Sequence, residues 1–293
     1  VVNDADFTLN EKNSDLAQAK EAILSIEWLP SPSSILTDIL RVLDEDEMGA
    51  EALEERLKRE PSVTAQVLKV ANSAYYGCQR KIDSVGRAIV VIGMSEVRNI
   101  CLTIALLQQF EKRPAAELFV PQLFWKHSLL TGFIASELAK DTGIISKDVA
   151  YTLGLIHDLG RLIMAYYLPD YFDKVVSLAN TPSLLYQTER GFSVTHTDLG
   201  YWLATKWKLP ETANMVMRYH HGPLEAETFK RESALIAVAN LLANSIEGDS
   251  GENELPEQDV IDLLDMGFNE YTDYLALVTE LSKKVKNMLH ILG

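Results

Sequence analysis

Six histidines occur in this 293-residue chain, and five of them fall between residues 127 and 221. His127 sits in FWKHSLLTGFIASELA, His157 and Asp158 in YTLGLIHDLGRL, His196 in ERGFSVTHTDLG, and His220 and His221 in WKLPETANMVMRYHHGP. Imidazole and carboxylate are the donors that hold borderline divalent metals, and an adjacent His-Asp pair can give one ion its nitrogen while the carboxylate bridges to a second. Such a pair can also position a water and a phosphate for in-line hydrolysis. Taken singly, each has an ordinary explanation. His127 and His196 fit buried rings with backbone partners, and His220-His221 fits a helix end before Gly222-Pro223.

Helices must position these side chains. Ser33 or Ser34 opens a helix that gathers Ile35, Ile39, Leu40 and Leu43 on one face. Leu53 and Leu57 belong to a second, and after Pro61 the positions Val63, Val67, Leu68 and Ala71 form a buried stripe on a third. Ser84 and Ser95 are expected as N-caps around a break at Gly93, after which Val97, Ile100, Cys101, Ile104 and Leu107 continue the pattern. Beyond Lys112-Arg113-Pro114, helices are expected near 121–141 and 147–157, and Pro169, Pro182, Pro210 and Pro256 each suit a first helical turn. The His157-Asp158 pair then lies at a helix-to-loop transition marked by Gly160. No segment alternates in the manner of a strand, so the expected fold class is all-α. The acidic stretch from Glu247 to Glu254 is the expected loop or linker.

Composition narrows the function. A formal net charge of -15 and a pI near 4.8 set the averaged surface against phosphate backbones, so no nucleic-acid partner is expected. The segment Ser84–Leu107 has the outline of a helix-turn-helix, but its second helix offers only Arg98 as a basic reader while its apolar residues demand burial. Cys78 and Cys101 lie far apart, which points to a reducing compartment and to the cytoplasm. No apolar run reaches the roughly 18 residues of a membrane span, and no membrane association is expected. The chain starts at Val1 without an initiator Met, which leaves room for a further amino-terminal domain.

From Leu29 to Gly93 the chain contains LPSPSSILTDILRVL, REPSVTAQVLKVANSAYYG and IDSVGRAIVVIG, in that order. In these motifs it resembles the HDOD family, helical signalling relatives of HD-type metal-dependent phosphohydrolases. Glu60 stands where that family usually has Asp before the proline. Asn72, Ser73, Tyr75 and Tyr76 close the third helix and offer polar groups beside an apolar stripe. The resemblance implies a multi-helix HDOD fold over 22–247, with an amino-terminal helical lobe at 22–114 packed on an HD-like lobe at 115–247. An amino-terminal extension (1–21) and an acidic loop with a helical carboxy-terminal extension (248–293) flank it. By resemblance to the HD superfamily, His127 matches the early His, His157 and Asp158 the doublet, and His196, His220 and His221 the further ligands of two-metal members. Asn240 stands at the late-Asp position, and Arg161 replaces the lysine that commonly follows the doublet. The tyrosine-proline element of HD-GYP phosphodiesterases is not evident. The resemblance implies a cytoplasmic regulatory module without catalysis, binding a signalling protein partner or small ligand, with a divalent metal (Fe, Mn or Zn) at the histidines. The competing expectation is a phosphohydrolase acting on a nucleotide or cyclic dinucleotide through Asp158 and Arg161.

Overall fold

The computed structural model describes residues 31–44, 49–111, 114–179, 184–192, 194–247, 256–266 and 268–292, and among them no strand occurs. Helix is what the sequence dictates here, since apolar residues recur at three and four positions and prolines fall outside helix interiors. The amino-terminal part comprises α1 (Ser34–Leu40), a 3-10 turn (Arg41–Asp44), α2 (Ala50–Lys58), α3 (Pro61–Ala71), α4 (Val85–Ile92) and α5 (Met94–Gln109). The Ser33 hydroxyl caps α1 by accepting from the Leu36 N–H, and Ser84 caps α4 in the same way through Arg87. Val63, Val67, Val70 and Ala71 of α3 are buried, whereas Leu68 is only half-buried. Asn72 closes α3 and ties the following loop to it, its amide donating to Ile82 O while its side-chain oxygen accepts from the Ile82 N–H.

Ser95 is not an N-cap. Helix α5 starts directly after Gly93, so Ser95 lies inside its first turn and donates to Asp148 Oδ2 at 3.1 Å. Arg98, buried on the same helix, donates to that oxygen at 2.6 Å. Its guanidinium is turned into the protein, and α5 buries Val97, Ile100, Cys101 and Ile104, which removes the helix-turn-helix outline from consideration.

The second part comprises α6 (Pro121–Thr142), α7 (Lys147–Ile156), α8 (Leu159–Tyr167), α9 (Pro169–Ala179), α10 (Leu185–Arg190), α11 (His196–Lys206), α12 (Glu211–Tyr219), a 3-10 turn (Pro223–Glu225) and α13 (Lys230–Glu247). Pro169 opens α9 as expected, but Pro210 is the N-cap of α12 and Pro256 precedes the N-cap of α14 (Gln258–Asp262). A proline's fixed φ suits the residue just outside a helix as well as the first inside it. The expectations at Pro182, at Lys112-Arg113 and over 248–254 lie outside the described residues, as do 1–30.

Helices α6 and α7 form an antiparallel hairpin at the centre of the core, packed on by α5, α13 and α15 (Phe268–Leu292). The carboxy-terminal α15 reaches both parts of the chain: Lys284 pairs with Glu96 of α5 at 2.8 Å, its ammonium lies 3.8 Å from the Phe133 ring centroid on α6, and Lys69 of α3 donates to Ile291 O. One hydrophobic core runs continuously from α1 to α15. No helix among the described residues is long and apolar enough to cross a membrane.

Candidate metal centre

The central hairpin brings the first ligands together by backbone contact. A Cβ on Gly154 of α7 would lie 2.7 Å from Gly132 Cα on α6, so only glycine permits this crossing. His127, upstream of the crossing on α6, and His157, just beyond α7, consequently face each other with ring centroids 5.5 Å apart. The chain then turns. His157 is the C-cap of α7, its Nδ1 lying 2.7 Å from Gly154 O, and Asp158 is the N-cap of α8. A second close approach adds α11. A Cβ on Gly160 would stand 1.8 Å from His196 O, so the start of α11 rests on the first turn of α8 and delivers His196 to Asp158. A Thr195–Asp198 capping box fixes where α11 begins. His220 is the C-cap of α12, with Nδ1 held 3.2 Å from Met217 O, and His221 follows it.

Asp158 is the common point. His196 Nε2 lies 3.2 Å and His220 Nε2 3.4 Å from its Oδ1, while His157 Nε2 lies 3.7 Å and His127 Nε2 3.9 Å from Oδ2. Two potential ion sites thus share one carboxylate, the first made by Asp158, His196, His220 and His221, the second by His127, His157 and Asp158. All are fully buried except His127 at 6% and the half-buried His221.

Protonation follows from the partners. A carbonyl only accepts, so Nδ1 of His157 and of His220 must carry the hydrogen, which leaves each Nε2 as a lone pair turned towards the carboxylate. Burial holds both rings, and His221, below the ordinary imidazole range and therefore neutral. Burial also disfavours the Asp158 carboxylate, but the Arg161 guanidinium 3.2 Å from Oδ2 outweighs it and holds its carboxyl well below the usual carboxylate range. His196 differs. Burial acts to strip its proton, yet Glu189, whose Oε2 is 2.5 Å from Nδ1, raises its affinity for one. Among the described residues neither His157 Nε2 nor His221 Nε2 finds a hydrogen-bond partner. Buried lone pairs converging on an anion are costly without a cation between them.

The donor set therefore fits a divalent ion. Metal bonds of about 2.0–2.2 Å place two neighbouring donors on one ion roughly 2.8–3.6 Å apart, from right-angled to tetrahedral arrangements. His196 and His220 meet that spacing to Oδ1, whereas His157 and His127 stand wider from Oδ2, which has Arg161 beside it. Mostly imidazole donors favour Zn²⁺ or Fe²⁺ over Mg²⁺ or Ca²⁺.

All six histidine and aspartate positions singled out in the sequence meet here, and Arg161 stands beside them. Asn240 is buried on α13, where its Oδ1 lies 3.4 Å from the Asn244 amide nitrogen. Two contributors had not been identified as site residues, Glu189 and Tyr186 of α10. Tyr186 stacks on His221 with ring centroids 4.2 Å apart and an interplanar angle of 10°. The one signal pointing to Glu189 is its type, an acid on a short helix whose neighbour at Leu185 is apolar and buried.

Known proteins show the same fold. A family model described as HDOD domain matches residues 29–223. The chain is 24% identical over 237 residues to an uncharacterised protein of Treponema pallidum (strain Nichols), a match covering 79% of this chain and 45% of that protein, so the chain spans about half the length of the curated relative. Among solved structures, an HDOD domain protein of unknown function from Geobacter sulfurreducens superposes with a TM-score of 0.77 at 24% identity, covering 94% of this chain and 98% of that one. A Shewanella amazonensis protein provisionally named a metal-dependent phosphohydrolase superposes with a TM-score of 0.60 at 15% identity, covering 97% and 100%.

Proposed function

Since the chain belongs to the HDOD domain family, we propose that it is a bacterial signal-transduction module whose buried histidine cluster holds one divalent ion for structure or sensing, and which binds a protein partner or small ligand without turning it over. The observation that carries this reading is the charge of the cluster. Among the described residues Asp158 is the one carboxylate in the two ligand groups, and Arg161 already lies 3.2 Å from one of its oxygens. Two-metal hydrolysis needs a pair of ions about 3.5–4 Å apart and enough anionic charge to keep them there. By the resemblance to the HD superfamily, Asn240 stands at the position of a further carboxylate and lacks its charge, and Arg161 competes electrostatically with an ion beside Oδ2.

His196, His220, His221 and Asp158 Oδ1 are the residues that would hold the ion, which would act as a Lewis acid there. The protein's own groups do the rest. Gly154 O and Met217 O hold the rings in their tautomers, and Arg161 offers a fixed cation that a phosphate or another anion can meet.

A second reading, a metal-dependent phosphohydrolase acting on a nucleotide or cyclic dinucleotide, is favoured by one specific observation, that His127 and His157 still face Oδ2. Turnover of cyclic dinucleotides and generic phosphodiesters with added manganese or iron separates the two readings. Wild type is expected to be inactive, with activity gained only in Asn240→Asp. Wild-type activity that disappears in Asp158→Ala would make the protein an enzyme.

A further inference from the structure

Helix α10 donates no ligand to the cluster, yet two of its side chains hold ligand rings. Glu189 is 1% exposed, and a carboxylate so deeply buried needs strong partners to remain there. Both partners come from one residue. Glu189 Oε2 accepts the backbone N–H of His196 at 2.8 Å and the Nδ1–H of the same residue at 2.5 Å. The backbone N–H is the first unsatisfied donor of α11. One oxygen thus fixes both where His196 begins its helix and how its ring is rotated. With Nδ1 committed, Nε2 is the nitrogen left for Asp158 Oδ1, 3.2 Å away.

One turn earlier on α10, at the i,i+3 spacing that puts two side chains on one helix face, Tyr186 lies flat against His221. Its ring also meets His196 edge-on at 5.7 Å. The phenol ring therefore touches two ligand rings at once, His221 face to face and His196 at its edge.

We propose that Glu189 and Tyr186 are positioning residues of the metal centre, α10 acting as a clamp that orients His196 and His221 and sets the affinity for the ion. This rests on the proposed occupancy of the centre by a divalent ion. A carboxylate behind a ligating imidazole fixes its tautomer and makes it a stronger donor, and losing such a partner typically lowers metal affinity about 10–100-fold. If Glu189 served only to cap α11, its replacement would weaken folding and leave the affinity of the folded protein unchanged.

The test is titration of the full chain with Co²⁺ and Zn²⁺, read by the visible absorption of bound Co²⁺ and by the ¹⁵N shifts of the His196 ring, for wild type, Glu189→Gln, Glu189→Asp, Tyr186→Phe and Tyr186→Ala. Glu189→Gln is expected to bind about 10–100-fold more weakly with unchanged helical circular dichroism, Glu189→Asp to recover part of the loss, and Tyr186→Ala to weaken binding where Tyr186→Phe, which keeps the stack, does not. Wild-type affinity in both Glu189→Gln and Tyr186→Ala would overturn the clamp while leaving the centre intact. Should Glu189→Gln fail to fold, a wild-type spectrum in which His196 Nδ1 carries no proton would overturn it equally. A wild type that takes up no ion removes the clamp and the proposed centre together.

Discussion

At Asp158 the two carboxylate oxygens keep different company, and this asymmetry decides what the cluster can hold. Oδ1 faces His196 and His220 at metal-bridging distances, while Oδ2 faces more distant rings and a guanidinium. Replacing the carboxylate should therefore sharply weaken uptake of the ion at the Oδ1 side. Asp158→Asn is expected to lower Zn²⁺ affinity by more than about 100-fold, because even partners behind the ligands are worth about 10–100-fold; competition against a chelator of known affinity measures it, and an unchanged constant would place the ion elsewhere. The six ligand-type residues were legible in the sequence because histidine is rare in this chain and the His-Asp doublet is adjacent. Glu189 was not, since an acid seven residues from His196, on a different helix, has no periodic relation to it. Only the fold turns its oxygen onto Nδ1.

Between elements, two contacts hold the ligands in place and each makes a stability prediction. Gly160 lies under the carbonyl of His196, so Gly160→Ala forces α8 and α11 apart and should cost about 1–3 kcal/mol, the usual range for overpacking. Urea unfolding reads the loss, and a weaker ion affinity in the surviving fold should accompany it. A variant as stable as wild type would mean that the two helices are not in contact. The buried Arg98–Asp148 pair joins α5 to α7 at 2.6 Å. Removing one side leaves a charge behind in the interior, so Asp148→Ala should destabilise by about 3–5 kcal/mol, and a loss below about 1 kcal/mol would show that water reaches the guanidinium. Most helices were legible from spacing and caps, as at Ser84, whose hydroxyl accepts from the Arg87 N–H, and at Pro169, which opens α9. Ser95 misled because a cap residue just after a glycine looks the same whether the helix starts before or after it. Its hydroxyl goes to Asp148, a partner distant in sequence. Pro210 and Pro256 misled by a residue or two, as proline suits both sides of a helix start.

Over the whole molecule, charge and burial agree. The formal charge of -15 opposes phosphate backbones, and the one helix that invited comparison with a DNA reader is buried with its arginine turned inwards. No salt-sensitive, specific shift of a DNA duplex is expected, and observing one would require a basic surface outside the described residues. How the parts assemble was less legible. The helical extension expected as a flanking piece shares the core, because α15 pairs with Glu96, stacks its Lys284 on Phe133 and meets Lys69, contacts that join residues far apart in the chain. The function proposed for the molecule depends on the cluster around Asp158 and its single carboxylate. Its most direct test is the ion content of the purified chain by elemental analysis, for wild type and Asp158→Ala. One divalent ion per chain is expected in wild type and none in the variant. Two ions per chain, together with phosphodiester turnover that Asp158→Ala removes, would contradict it.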